Sequence, residues 1–305
     1  TVTIIFNDDQ DEVVLEKIEI AEVLAAAVYQ EEAEPIIAVI VPRKNDGKEP
    51  PFAIAEAMKN SNVFLAAVGK SITHTRAVNN ALQAGSRGIM LTQFSEDMLI
   101  KGGIEADFES IAPVCKSIKE ALENGKKIRL TTSYGTDLSF SGSDRRGNAL
   151  YGIVEPGEFT TIPTIEANIS PVEGTANGVI VVNASIPYIG IGVLEEPVVF
   201  QVREGMIVSI EGGVQAEILK EDLKSKNDPN VYNIAEMGIG LNPKCKFTGF
   251  MLEDEGVYGS VHIGIGTSTT LGGKIQAACH YDLIMTGATI EVDDRVILKD
   301  GNVNI

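Results

Sequence analysis

A strand–helix rhythm that runs through the first 125 residues and then stops is what most limits the folds open to this chain. Thr1 to Phe6 alternates as a strand does, and Asp11 to Ala27 carries Val14, Leu15, Ile18, Ile20, Val23 and Leu24 at helical spacing. Pro35 to Val41 is a short continuous apolar run, the pattern of a buried parallel strand. Pro50 to Met58 reads as a helix, Asn62 to Val68 as a strand, and Ser71 to Ala84 as a helix stopped by Gly85. Gly88 to Thr92 is the next strand, and Ile104 to Glu123 a further helix closed by Asn124-Gly125. Such a βαβα order predicts a parallel sheet covered by helices, a Rossmann- or flavodoxin-like α/β layer.

From Lys126 onward strands dominate, separated by Gly and Asn. Lys127 to Thr132, Leu138 to Ser141, Gly178 to Ser185, Val198 to Val202 and Met206 to Glu211 are strand-like. So are Ser260 to Ile265, Gln276 to Met285 and Thr289 to Val292, whereas Glu217 to Ser225 and Tyr232 to Met237 read as helices. A chain of 305 residues exceeds the usual single core. The expectation is an α/β domain over 1–125 followed by an α+β, strand-rich domain over 126–305.

A net charge of −18 speaks against nucleic acid or an anionic membrane as a partner. No run of eighteen uncharged apolar residues is present, so a membrane span is not expected. Nor does the chain open on a basic segment followed by an apolar one, as a secretory signal would. Three scattered cysteines, Cys115, Cys245 and Cys279, make no disulfide framework and fit a reducing cytoplasm.

Phosphate and dinucleotide motifs fail on inspection. Val68-Gly69-Lys70-Ser71 lacks the earlier glycine of a phosphate loop, where Phe64 stands instead. Gly238/Gly240 and Gly264/Gly266 lack the third glycine of a dinucleotide fingerprint, and predict close backbone approach in turns or at a site. No Gly-x-Ser-x-Gly elbow exists.

The chemistry-bearing residues concentrate near the C-terminus. Two of the three histidines, His262 and His280, lie within nineteen residues, and His280 belongs to a His-x-Asp step with Asp282. On a strand, residues i and i+2 share a face, so an imidazole and a carboxylate stand side by side, a common way to hold a divalent metal. Glu158 and Glu236 are lone carboxylates among uncharged neighbours, a costly placement unless a cation compensates it. Cys279 faces away from His280 and reads as a packed thiol. His74, at the start of a helix, reads as a capping or surface residue, with substrate contact as the lesser alternative.

These pieces occur in a familiar order. Gly135-Thr136-Asp137-Leu138 comes first, then Gly157-Glu158-Phe159-Thr160 running to Pro163, and Val172-Glu173-Gly174-Thr175. Ala235-Glu236, Asp254-Glu255, Gly259-Ser260-Val261-His262-Ile263 and His280-Tyr281-Asp282-Leu283-Ile284-Met285 follow. Together they resemble the metal domain of the aminopeptidase T family, the thermophile-type leucyl aminopeptidases and their relatives. That resemblance implies a homodimeric metallohydrolase cutting small or short-peptide substrates, with two divalent ions, zinc, cobalt or manganese. It implies that Glu158 bridges the ions, with Glu236 and His262 completing one site and His280 and Asp282 the other. Glu255 is the expected unligated acid–base.

Two departures point to a relative of that family. Where the peptidases carry a Tyr shortly after the first histidine, this chain reads Gly264-Ile265-Gly266-Thr267-Ser268-Thr269-Thr270, and the interval from His262 to His280 is short. Enzymes similar to 2,5-dihydroxypyridine 5,6-dioxygenase hold a single Fe(II) in a reworked version of the site. In that alternative, His262, His280 and Asp282 form the facial set for ring cleavage. A non-enzymatic binding or assembly protein is the third alternative, and it predicts no stoichiometric metal.

Overall fold

A computed structural model describes residues 1–6, 18–43, 46–73 and 75–305. Two compact units emerge: Thr1–Glu105 together with Gly152–Pro163, and Ala106–Tyr151 together with Thr164–Ile305. The division differs from a single break at Gly125. The chain enters the second unit about twenty residues earlier than that and returns to the first for one strand.

In the first unit, β1 (Val2–Phe6), α1 (Ile18–Gln30), β2 (Pro35–Val39), α2 (Phe52–Lys59), β3 (Val63–Ala67), α3 (Arg76–Gln83), β4 (Arg87–Met90) and α4 (Glu96–Ile100) alternate as the rhythm predicts. The returning strand is β8 (Phe159–Thr161), and the sheet order is β2-β1-β3-β4-β8, parallel throughout. Of the helix expected over Asp11 to Ala27, positions 11–17 lie outside the described residues, as does His74. The apolar run at Pro35 forms a parallel strand but not a buried one. It is the sheet's edge, and Ile36, Ile37 and Val39 are 48%, 37% and 44% exposed. Beside the Gly69-Lys70-Ser71 turn, the N-terminus of α3 is already served from within the chain. Glu49 accepts from the Arg76 and Ala77 amides at 2.8 and 3.1 Å, and the Thr75 hydroxyl accepts from the Val78 amide.

The second unit holds α5 (Phe108–Asn124), β5 (Lys127–Thr132), β6 (Asp137–Ser141), β7 (Gly147–Leu150), β9 (Glu166–Ile169), β10 (Asn177–Val182), β11 (Ser185–Ile186) and β12 (Gly192–Val193). It continues with β13 (Val198–Arg203), β14 (Met206–Glu211), α6 (Val214–Ser225), β15 (Ile234–Gly240), α7 (Met251–Asp254), β16 (Val261–Gly266), β17 (His280–Met285), β18 (Ala288–Val292), β19 (Arg295–Lys299) and β20 (Asn302–Val303). Two antiparallel sheets result, eight strands in the order β14-β13-β10-β6-β5-β18-β19-β20 and seven in the order β12-β11-β17-β16-β15-β9-β7. Both bury residues in one apolar core: Ile128, Leu138 and Ile180 from the first, Ile169, Met237, Ile263 and Leu283 from the second. Cys115, Ile118 and Leu122 of α5 join that core, which is why this helix belongs with the second unit.

The segment Tyr232 to Met237 is not helical. Pro229–Tyr232 is a single 3₁₀ turn, and Ile234–Gly240 is a central strand paired with β9 and β16. Its glycines are poor helix formers, and pairing on both sides decides its state.

Candidate metal centre

Strand periodicity builds the site. On β9, β15, β16 and β17, Ala167, Ile169, Met237, Ile239, Ile263, Ile265, Leu283 and Met285 face the apolar core. The alternate positions, Glu166, Asn168, Glu236, His262, His280 and Asp282, therefore share the other face. This polar face is nonetheless buried: Glu166, Glu236, His262 and Asp282 are 5%, 4%, 1% and 4% exposed.

Glycine makes room for them. Across the strands Glu166 is opposite Gly240, His262 opposite Gly238, His280 opposite Gly266, and both Glu236 and Asp282 opposite Gly264. A Cβ at Gly238 would stand 2.1 Å from His262 Nε2, and one at Gly264 would stand 2.7 Å from His280 Cε1. The two Gly-x-Gly pairs thus mark close approach of side chains to backbone. A register shift just before Glu236 marks a bulge that sets the direction of this carboxylate.

Two groups of potential ligand atoms result, each with its atoms within 4.8 Å of one another: Glu166, Glu236 and His262, and Glu236, His280 and Asp282. His262 Nε2 is 3.3 Å from Glu166 Oε2 and 3.9 Å from Glu236 Oε1. His280 Nε2 is 3.0 Å from Glu236 Oε2 and 3.4 Å from Asp282 Oδ1. Of the residues expected from sequence to bind metal, the structure brings together Glu236, His262, His280 and Asp282.

Glu158 belongs to neither group. This residue precedes β8 in the first unit, beyond a turn at Gly157 (φ 87°), and its Oε2 accepts from the Glu155 amide at 3.1 Å. The carboxylate beside His262 is Glu166, eight residues on. Its signal lies in Ile165-Glu166-Ala167-Asn168-Ile169, where polar residues alternate with apolar ones and the only charge is one carboxylate. Glu255, the expected acid–base, ends α7 and is buried beside the second group. Tyr188, which sequence reasoning did not single out, donates to Asp282 Oδ2 at 2.5 Å and lies 3.3 Å from Glu255 Oε1.

Neighbouring groups orient the cluster. His280 Nδ1 donates to the Thr267 carbonyl at 2.8 Å, which fixes the ring with Nε2 turned toward Glu236 and Asp282. Asn168 Nδ2 donates to Glu166 Oε1 at 2.8 Å, and Asn148 Nδ2 donates to Asn168 Oδ1 at 2.7 Å. On the two terminal carboxylates, the oxygens facing the imidazoles, Glu166 Oε2 and Asp282 Oδ1, have no hydrogen-bond partner among the described residues. Buried carboxylate oxygens without donors cost free energy unless a cation serves them. The donor set of carboxylate oxygen and imidazole nitrogen suits a divalent transition ion, so the residues present fit a metal.

Electrostatics point the same way. Burial alone would discharge both histidines, but the surrounding carboxylates override it. Glu166 and Glu236 push His262 up to about 9, and Asp282 and Glu236 hold His280 well above its ordinary value. Burial, with Glu236 and Asp282 close by, raises Glu166 to about 7, only partly offset by His262. Glu255 is raised well above the usual carboxylate range by burial and by Asp282, Glu166 and Glu236. Asp282 goes the other way: burial opposes its ionisation, but His280 and the Tyr188 hydroxyl hold it ionised. Four carboxylates converge here on two imidazoles, an imbalance that added positive charge relieves.

Known proteins share this architecture. A solved structure of 2,5-dihydroxypyridine dioxygenase from Pseudomonas putida KT2440 superposes with a TM-score of 0.84 at 20% identity, covering 99% of this chain and 91% of that one. Wild-type AmpT from Thermus thermophilus, an aminopeptidase T, superposes with a TM-score of 0.70 at 15% identity, covering 100% and 94%. In sequence, the 2,5-dihydroxypyridine 5,6-dioxygenase of Pseudomonas putida is 25% identical over 245 residues, 76% of this chain and 68% of that protein. A dioxygenase and an aminopeptidase T thus share this fold. The family model for 2,5-dihydroxypyridine 5,6-dioxygenase (NicX) matches residues 1–305, and the chain belongs to that family.

Proposed function

We propose that this chain is a metal-dependent hydrolase of peptide or amide bonds, holding two divalent ions, zinc, cobalt or manganese. Glu166, Glu236 and His262 would hold one and Glu236, His280 and Asp282 the other. One observation carries the reading: the two oxygens of Glu236 face different imidazoles, one from each group. A one-iron facial set would need both histidines around one ion, and among the described residues neither group contains both.

Divalent ions in such a site lower the pKa of water toward neutrality and polarise a carbonyl. Glu255 belongs to neither group and lies buried beside Asp282; in this reading it would take a proton from water and pass it to the leaving amine. Glu166, Glu236, His262 and Asp282 are buried, and His280 is partly exposed. With a net charge of −18, the substrate is read as a small molecule or short peptide and not nucleic acid. The working unit is read as a cytoplasmic homodimer. Among the described residues no helix is long and apolar enough to cross a membrane.

The second reading, ring cleavage of a hydroxylated pyridine with one Fe(II), is favoured by family membership. Metal content per chain, measured without added metal, separates the two. Two ions per chain, with release of amino acids from dipeptides or amino-acid amides, supports hydrolysis. One iron per chain, with oxygen uptake on 2,5-dihydroxypyridine and no amide cleavage, overturns it.

A further inference from the structure

Each terminal carboxylate of the site has one oxygen turned to an imidazole and the other held by a neutral donor. For Glu166 the donor is Asn168, which touches no other cluster residue in doing so. For Asp282 the donor is Tyr188, whose hydroxyl also lies 3.3 Å from Glu255 Oε1. A phenol carries one proton and cannot donate to both carboxylates. At 2.5 Å the bond to Asp282 takes it, and the contact to Glu255 is the longer one. The ring is not free to wander. It stacks on Tyr281 with centroids 4.7 Å apart, its amide donates to the Ile186 carbonyl at 2.8 Å, and Ile189 and Gly190 turn the chain behind it at φ 51° and 79°.

We propose that Tyr188 is a positioning residue for the group formed by Glu236, His280 and Asp282, acting on that group alone. Its hydroxyl holds Asp282 Oδ2, which would turn Oδ1 toward the cation. The inference rests on the two-ion reading above and makes the two ions unequal: one is supported through a tyrosine, the other through an amide.

The test uses the purified full chain loaded with Co(II), with each ion followed by visible absorption under chelator competition. Tyr188→Phe keeps the ring and its stacking, so it removes only the hydroxyl. The expected result is two ions in the unaltered protein, with one held in Tyr188→Phe as before and the other weakened by about 10–100-fold. Tyr281→Phe, which removes a hydroxyl that donates to Asp222, should hold both ions normally. Unchanged affinity for both ions in Tyr188→Phe overturns the proposal. Equal weakening of both, or the same loss in Tyr281→Phe, overturns it as well, since either marks a general packing effect. Failure of the unaltered protein to bind two ions overturns the underlying reading instead, which keeps the two failures distinct.

Discussion

The two antiparallel sheets of the second unit bury their strands differently. In the eight-stranded sheet burial alternates: on β5, Ile128 and Leu130 are fully buried while Lys127 and Arg129 face solvent. In the seven-stranded sheet, β15 and β16 are buried at every position, although alternate residues are polar or glycine. An amphipathic sheet needs no more than a core on one side and water on the other. A sheet that buries a polar face must satisfy that face with something other than water. The second sheet thus presents a candidate ligand site, and the first only packs.

The sharpest way to break this contrast is to change one side chain on each sheet's second face, adding a methyl to one and trimming a side chain to a methyl on the other. Gly238→Ala places a Cβ against His262 Nε2 and should weaken metal binding by more than about 100-fold, beyond the usual cost of losing a supporting contact. Val208→Ala on β14, at a position 56% exposed, should change stability by no more than about 0.5 kcal/mol. Calorimetric metal titration and thermal melts of both variants measure this, and equal effects would dissolve the distinction.

Next in size is the choice of glutamate. Glu166→Gln should lose the ion shared with His262, whereas Glu158→Gln should retain two ions per chain by elemental analysis. Smaller again is the linkage of stability to metal. Divalent ion at a hundred times its dissociation constant should stabilise the protein by about 2.7 kcal/mol, and chelation should reverse this. Leu138→Ala, in the core below the other sheet, should cost about 2–5 kcal/mol whether or not metal is present.

The smallest effect belongs to the solvent face of the eight-stranded sheet, where Arg129 donates twice to Asp137 at 2.9 Å. The guanidinium holds the Asp137 carboxyl below its ordinary value of 3.8. A depressed folded-state pKa contributes stability above the unfolded value and loses it as pH falls through the folded one. Asp137→Asn should therefore cause a slight loss at pH 7 that vanishes in melts recorded well below pH 3.8. A difference that persists there would assign the effect to packing.

What was legible in the sequence follows the same contrast. Strands of the eight-stranded sheet announce themselves by alternation, and the βα order of the first unit by its apolar runs. His280 and Asp282 were readable because a two-residue step on a strand fixes a shared face. Glu236 is readable as a lone carboxylate, but its strand is not, since the glycines at 238 and 240 give a periodicity argument too little to work on. Glu158 and Glu166 are both single acids in short uncharged runs, and only strand pairing across β9, β15 and β16 tells them apart. Tyr188 had no local signal, because its partners lie 67 and 94 residues away.

Sharing one side chain between two triads links their fates. Truncating Glu166 or Asp282 leaves the other ligand set intact, but Glu236→Ala strips a donor from both at once. If two ions bind as proposed, the first would also immobilise this carboxylate for the second, so loading should be cooperative, with the second uptake tighter than its isolated ligands would predict.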